Sequence, residues 1–220
     1  VQTCALPIWN FQMNLNKLQG LYVITDDLLT PNASLIEQVT DSLRGGAKIV
    51  QLRDKVSSLD EIKQKAIELE NLCKEYNAIF VLNDKVELAI ELGLSGLHIG
   101  KSDHHRVKEI REKFSGYLGV SCYGDIPLAK SMQEEGVDYV AFGSFYTSPT
   151  KPNANIVDLK ILSNARAELN IPVCAIGGIS KDNIVEVMEH KPDMVSLVSD
   201  IWRSEDIKEK SKFYAKFYKE

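Results

Sequence analysis

Ile49-Val50-Gln51-Leu52-Arg53-Asp54-Lys55 is a short apolar run that ends in charge, and Ile79-Phe80-Val81-Leu82-Asn83-Asp84 repeats the arrangement. Between them, Ser58 to Tyr76 carries Leu59, Ile62, Ala66, Leu69 and Leu72/Cys73 at helical spacing, with Glu and Lys opposite. The pair reads as strand, helix, strand. Six further runs have the same character: Leu21 to Thr25, Gly96 to Ile99, Leu118 to Cys122, Tyr139 to Phe142, Val173 to Ile176 and Val195 to Val198. Short, nearly continuous apolar strands are those covered on both faces, as in a parallel sheet. Helical stripes such as Val39/Leu43 and Leu128/Met132 fall between them. Eight β-then-α units predict a single-domain α/β fold, the (β/α)8 barrel. A doubly wound open sheet is the alternative; it needs fewer strands and draws its crevice from fewer loops.

Polar clusters at the strand ends support the barrel. They are Gln51 to Lys55, Asn83-Asp84, Gly100-Lys101-Ser102-Asp103, Ser121-Cys122, Ser148-Pro149-Thr150-Lys151, Gly177-Gly178 and Val198-Ser199. They lie far apart in the chain. Only a fold that gathers all its strand ends on one rim makes a single site of them, and barrels place their chemistry there.

The chain has 220 residues and a net charge of −5, which argues against nonspecific nucleic-acid binding. No apolar run approaches the ~20 residues that span a bilayer. The four cysteines form no CxxC and no Cys/His cluster of zinc spacing. Cys122 and Cys174 fall in strands and read as buried thiols, which fits a reducing cytoplasm. Val1 to Gln12 shows no period and no signal-peptide order, so residues 1–12 are expected to be a non-native or disordered extension. Met13 is the expected native start, with 13–220 as the barrel. A homo-oligomer is left open.

Gln51, Arg53 and Lys55 share one strand face, because side chains alternate. A guanidinium and an ammonium two residues apart suit a polyphosphate; ordinary solvated charge is the competing reading. Asp84 and Asp103 follow neighbouring strands and could share Mg2+, which takes oxygen ligands and keeps several waters. Capping of the next helix is the competing reading for each. Ser148-Pro149-Thr150-Lys151 offers two hydroxyls and an ammonium between prolines. Gly177-Gly178 lets backbone N–H groups approach an oxyanion at a helix start, and the loops after strands seven and eight often hold phosphate in such barrels. His98, inside strand four, reads as a satisfied core histidine. His104 and His105 read as first-turn helix residues. Phe213/Phe217 and Tyr214/Tyr218 in the tail read as the face of a last helix packed on the barrel.

The ordered set Gln51-Leu52-Arg53-Asp54-Lys55, Val81-Leu82-Asn83-Asp84, Gly96-Leu97-His98-Ile99-Gly100, Gly119-Val120-Ser121, Val140-Ala141-Phe142-Gly143, Pro149-Thr150-Lys151 and Ala175-Ile176-Gly177-Gly178-Ile179 resembles the thiamine phosphate synthase family. The resemblance covers roughly Leu21 to Trp202. It implies a transferase of thiamine biosynthesis that joins 4-amino-5-hydroxymethyl-2-methylpyrimidine diphosphate to a thiazole phosphate and releases pyrophosphate. By position it implies that Gln51, Leu52, Arg53, Asp54, Lys55, Asn83, Ser121 and Lys151 bind the pyrimidine diphosphate. Ser148, Pro149, Thr150, Gly178, Val198 and Ser199 would bind the thiazole phosphate, and Asp84 and Asp103 would hold Mg2+. Ser121, Lys151 and Arg53 would be the catalytic groups. The implied mechanism is dissociative and calls for a sink for negative charge rather than a general base. Three positions depart from the family pattern: Lys101 for a common Gln, Tyr123 for a common His, and Gly143-Ser144 for a common Gly-Pro. The rival functions are a thiazole tautomerase-like isomerase of the same fold and a non-catalytic thiamine-phosphate-binding protein.

Overall fold

A computed structural model describes residues 14–147 and 155–218. Eight parallel strands close into a barrel in sequence order. They are β1 (Gly20–Ile24), β2 (Ile49–Leu52), β3 (Ile79–Asn83), β4 (Gly96–Ile99), β5 (Tyr117–Tyr123), β6 (Tyr139–Phe142), β7 (Val173–Ile176) and β8 (Met194–Leu197). Closure comes from β1 against β8, with Leu21 opposite Val195 and Tyr22 opposite Ser196. The open-sheet alternative is therefore set aside. Helices follow the strands: α1 (Leu35–Arg44), α2 (Leu59–Glu75), α3 (Val86–Leu92), α4 (Val107–Lys113), α5 (Ile126–Glu134), α6 (Lys160–Glu168), α7 (Ile184–Glu189), α8 (Ser199–Trp202) and α9 (Ile207–Ala215).

Strand alternation sorts the side chains into two cores. One lies between strands and helices and includes Val23, Val50, Leu82, Leu97 and Phe142. The other fills the barrel itself, with Tyr22, Ile49, Val81, Tyr139, Cys174 and Met194. Most of the stripe anticipated for α2 is buried, at Ile62, Ala66, Leu69 and Cys73. Leu59 is the exception. It is the first residue of the helix, before the helix has come down on the barrel, and is 59% exposed. Ser58 and Glu61 close that end with a capping box: Glu61 N–H donates to Ser58 Oγ, and Ser58 N–H donates to Glu61 Oε2 at 2.8 Å.

The tail packs as a last helix. α9 lies on α1, where Ser42 Oγ and Ser211 Oγ are 3.0 Å apart. α8 ties the end of β8 to both neighbours. Trp202 Nε1 donates to Ile24 O at 2.6 Å, and Asp200 accepts from Lys210 Nζ at 3.1 Å and from the Tyr214 hydroxyl. Burial raises the thiol pKa of the strand cysteines; that of Cys122 is pushed up to about 12. These are inert core thiols. No helix among the described residues is long and apolar enough to cross a membrane.

α1 and α9 meet this closely because residue 45 is glycine. A Cβ there would stand 2.4 Å from Lys208 O and 2.5 Å from Ser211 Cβ. Gly45→Ala should therefore cost about 1–3 kcal/mol by overpacking, with turnover retained because the contact lies away from the rim. Denaturant midpoints of the two proteins check this; equal midpoints would show that α9 moves aside freely.

Candidate active site

The rim at the strand C-termini divides into two halves. Over β5–β8 lies a cavity of about 720 Å3. Its lining includes Ser121 and Tyr123 of β5, Ala141 of β6, Ile176 of β7 and Ser196 of β8, with Gly143, Gly178, Val198 and Ser199 just past the ends of β6, β7 and β8, and Lys101 past the end of β4. Over β2–β4 stand the charged groups Arg53, Lys55, Asp84 and Asp103. Ser121 sits at the seam.

Close backbone approach builds the cavity wall. Phe145 and Tyr146 N–H both donate to Gly177 O, at 3.2 and 3.0 Å. Gly178 has φ +68°, and a Cβ on it would stand 2.5 Å from Tyr146 O. What a side chain at 178 would strike is thus the backbone of the neighbouring loop. The anticipated helix start is also displaced. α7 begins only at Ile184, and Ser180 N–H is already taken by Asn183 Oδ1 at 2.8 Å. The short helix that starts at the cavity is α8, whose first residue Ser199 lines it. Ser196 Oγ is buried beside the cavity with no hydrogen-bond partner among the described residues.

The Gln51–Lys55 string serves several purposes. Gln51 is buried inside the barrel, and its Nε2 donates to the Tyr22 hydroxyl at 2.6 Å. Leu52 belongs to the outer core. Asp54 turns away from the mouth: it accepts from Lys65 Nζ at 2.6 Å and from the N–H groups of Val56 and Ser57. Arg53 is half-buried, with its N–H held by Thr25 Oγ1 at 3.0 Å. Lys55 crosses to Asp84, Nζ to Oδ2 at 2.5 Å.

Neither carboxylate caps a helix. α3 is entered through Lys85 and α4 through Arg106. Asp84 instead has φ +60°, a conformation that Asp tolerates better than most residues. Its N–H donates to His98 O at 2.9 Å, which carries the β3–β4 pairing one residue further. Asp103 lies in a 3-10 helix, Lys101–Arg106, with His104 and His105, and accepts from Ser102 Oγ and Arg106 Nη1. Both residues border Gly100, Asp84 through its carboxylate and Asp103 through its backbone. A Cβ on Gly100 would lie 3.9 Å from Asp84 Oδ1, and Asp103 N–H donates to Gly100 O at 3.1 Å. Burial raises the Asp84 pKa, but the Lys55 ammonium outweighs it, so the net shift is downward. Asn83 stands at the end of β3 opposite His98. Ser148, Pro149, Thr150 and Lys151 lie outside the described residues, as does Val1 to Met13.

Sequence reasoning passed over Tyr123, Ala141, Ile176 and Ser196 as lining residues. The signal was alternation: Gly119/Ser121, Tyr139/Ala141, Cys174/Ile176 and Met194/Ser196 each step by two into the barrel. It also passed over Asp27, which accepts from Lys55 N–H at 3.2 Å, and Lys65, which holds Asp54.

The fold is that of a (β/α)8-barrel enzyme, with a cavity and a group of charged side chains at the rim of its strand ends. The chain belongs to the thiamine monophosphate synthase family, whose model matches residues 21–201. It is 41% identical to the thiamine-phosphate synthase of Wolinella succinogenes over 188 residues, 84% of this chain and 86% of that one. It is also 41% identical over 192 residues to the thiamine-phosphate synthase of Thioalkalivibrio sulfidiphilus, covering 86% of this chain and 90% of that one. A thiamine phosphate pyrophosphorylase from Pyrococcus furiosus superimposes with a TM-score of 0.82 at 32% identity, covering 93% of this chain and 97% of that one.

The Asp54–Lys65 pair sets a pH dependence. Burial pushes the Asp54 carboxyl up, but the Lys65 ammonium and the Ser57 and Val56 amides outweigh it and hold it far below the usual range. A depressed folded-state pKa gives stability that is present above the ordinary value of 3.8 and fades as pH falls through the folded one. Asp54→Asn should cost about 3 kcal/mol at neutral pH, because it leaves the Lys65 ammonium unpaired. The gap to the parent protein should narrow as pH drops below 3.8. Denaturant midpoints measured between pH 7 and pH 2 check it; a constant gap would show that the carboxylate charge is not what Lys65 requires.

Proposed function

We propose that this chain joins 4-amino-5-hydroxymethyl-2-methylpyrimidine diphosphate to a thiazole phosphate, giving thiamine phosphate and pyrophosphate. The observation that carries the reading is the divided rim. A cavity over β5–β8 suits rings and one phosphate, a charged group over β2–β4 suits a diphosphate, and Ser121 stands between them in a chain of this family.

In this reading Arg53 and Lys55 bind the diphosphate together with Asn83 and Lys151. Gln51, Leu52 and Asp54 support them from behind: Gln51 through Tyr22, Leu52 through the outer core, and Asp54 by fixing the loop. Gly178, Val198 and Ser199, with Ser148, Pro149 and Thr150, receive the thiazole phosphate. A short helix opening at Ser199 after β8 is the place where such barrels often bind phosphate. As the C–O bond of the diphosphate breaks, negative charge grows on the departing oxygen. Cations fixed beside it stabilise that state more than the bound substrate. Positive charge is left on the pyrimidine methyl carbon, which the thiazole nitrogen attacks.

Asp84 and Asp103 fit a Mg2+ site. Each carboxylate already faces a cation, Asp84 the Lys55 ammonium and Asp103 the Arg106 guanidinium, and both residues border Gly100. Among the described residues no group of three or more His, Cys, Asp and Glu is placed to hold a metal. Two carboxylates suit an ion that takes its other ligands from water and phosphate oxygens. When bound, Mg2+ would supply charge neutralisation for the diphosphate. With Mg2+ held there, Lys55 would be free to turn from Asp84 to the substrate, a small change for an exposed pair.

A coupled assay of both substrates with and without Mg2+ tests the reading; no thiamine phosphate in the presence of both substrates and Mg2+ would refute it. Asp84→Asn should raise the Mg2+ concentration for half-maximal turnover on the order of tenfold or more, and turnover that persists in excess EDTA would refute the metal assignment. Lys151→Ala should slow single-turnover bond formation by about 30- to 1000-fold with a smaller change in affinity. A change confined to KM would leave the leaving group to Arg53 and Lys55.

A further inference from the structure

A hydrogen-bonded file crosses the barrel interior beneath the charged rim. Gln51 Nε2 donates to Tyr22 Oη at 2.6 Å, and Tyr22 Oη lies 2.8 Å from Tyr139 Oη. Tyr139 Oη is 2.9 Å from His98 Nδ1, and His98 Nε2 is 2.9 Å from Ser121 Oγ. β1 and β6 are not neighbours, nor are β4 and β6, so the file spans the interior rather than following a ladder. Its far end, Gln51, is 2% exposed, while its near end, Ser121, lines the cavity.

We propose that this file presets Ser121 as a hydrogen-bond donor to the substrate, with Gln51, Tyr22, Tyr139 and His98 as positioning residues. The proposal deepens the function given above and rests on it for the identity of the ligand. Each hydroxyl carries one proton, so direction propagates. The Gln51 amide donates to Tyr22, which turns the Tyr22 proton to Tyr139. Tyr139 then turns its own proton to His98 Nδ1. The imidazole accepts there and donates from Nε2 to Ser121. With that lone pair filled, the Ser121 proton points into the cavity, toward a lone pair of the substrate. In the reverse direction Ser121 would give its proton to His98 and could only accept. Burial raises the pKa of both phenols, so each keeps the proton that the file requires.

The test is in two parts. Nitrogen-15 spectra of the ligand-free protein, with His98 assigned among the four histidines, report the tautomer. A proton on Nε2 is expected, with a shift toward mixed tautomers in Tyr139→Phe; a proton on Nδ1 in the parent protein overturns the proposal. This readout does not depend on turnover, so it stands even if the synthase reading fails in the coupled assay. The second part is a double-mutant cycle. Tyr139→Phe keeps the ring and should lower kcat by about 5- to 10-fold with little change in KM. In a Ser121→Ala background the same change should have almost no further effect. Equal losses in both backgrounds would mean that Tyr139 is merely structural and would overturn the proposal.

Discussion

A closed barrel has to satisfy whatever polar atoms it encloses, because water is excluded and an unpaired hydroxyl costs about 1–3 kcal/mol. Of the three tyrosines in its inner core, Tyr22, Tyr117 and Tyr139, two are almost wholly enclosed. Tyr22 and Tyr139 are each 1% exposed or less, and their rings meet edge to face at a centroid distance of 6.1 Å. Much else follows from placing them. A Cβ on residue 119 would stand 2.0 Å from the Tyr139 ring, so β5 needs Gly119 there. The hydroxyls need partners, and Gln51 and His98 supply them. The solution to a packing problem thereby reaches Ser121 at the mouth.

The two lysine–aspartate pairs of the β2 end illustrate how burial assigns roles. In Lys65–Asp54 the side chains are 13% and 6% exposed; in Lys55–Asp84 they are 43% and 30% exposed. Breaking the first strands a charge away from water, at a cost of several kcal/mol. Breaking the second costs about 1 kcal/mol or less. The first pair therefore fixes the loop. The second can open at little cost to the fold, which a group that must change partners during a reaction requires.

Much of this is legible in the amino-acid sequence itself. The expected strand runs coincide with β2, β4, β6 and β7 and fall within a residue of the other four, because burial on both faces keeps these strands mostly apolar to their ends. The rim clusters were legible for the same reason: each marks where apolar sequence stops. What the chain conceals is direction. Asp84 and Asp103 have the residue type and spacing of helix caps, yet the backbone turns at φ +60° in one case and forms a 3-10 helix in the other. Asp54 sits in a cationic string and faces away from it. The Tyr22–Tyr139 contact joins positions 117 apart, and no local pattern contains it. Gly178 reads as room for a phosphate, and the close approach of Tyr146 O, which only the packed loops reveal, is a second demand for glycine there.

β5 holds the two halves of the rim together and shows how narrow the margin is. Its ladder to β6 runs regularly from Gly119/Tyr139 to Ser121/Ala141, then shifts so that Tyr123 faces Phe142. Cys122 is the extra residue and stays buried in the outer core. A one-residue slip in a strand moves every side chain to the opposite face. By delaying the irregularity until after Ser121, the strand keeps Gly119 under the Tyr139 ring and Ser121 within reach of His98. Past that point the backbone bends, Tyr123 takes φ +57°, and its ring lines the cavity while remaining 46% exposed. Bulges recur beside active sites because they re-aim one side chain without disturbing the ladder below. Moved two residues earlier, the same bulge would turn Ser121 out of the file, and the hydroxyls behind it would lose their outlet to the cavity.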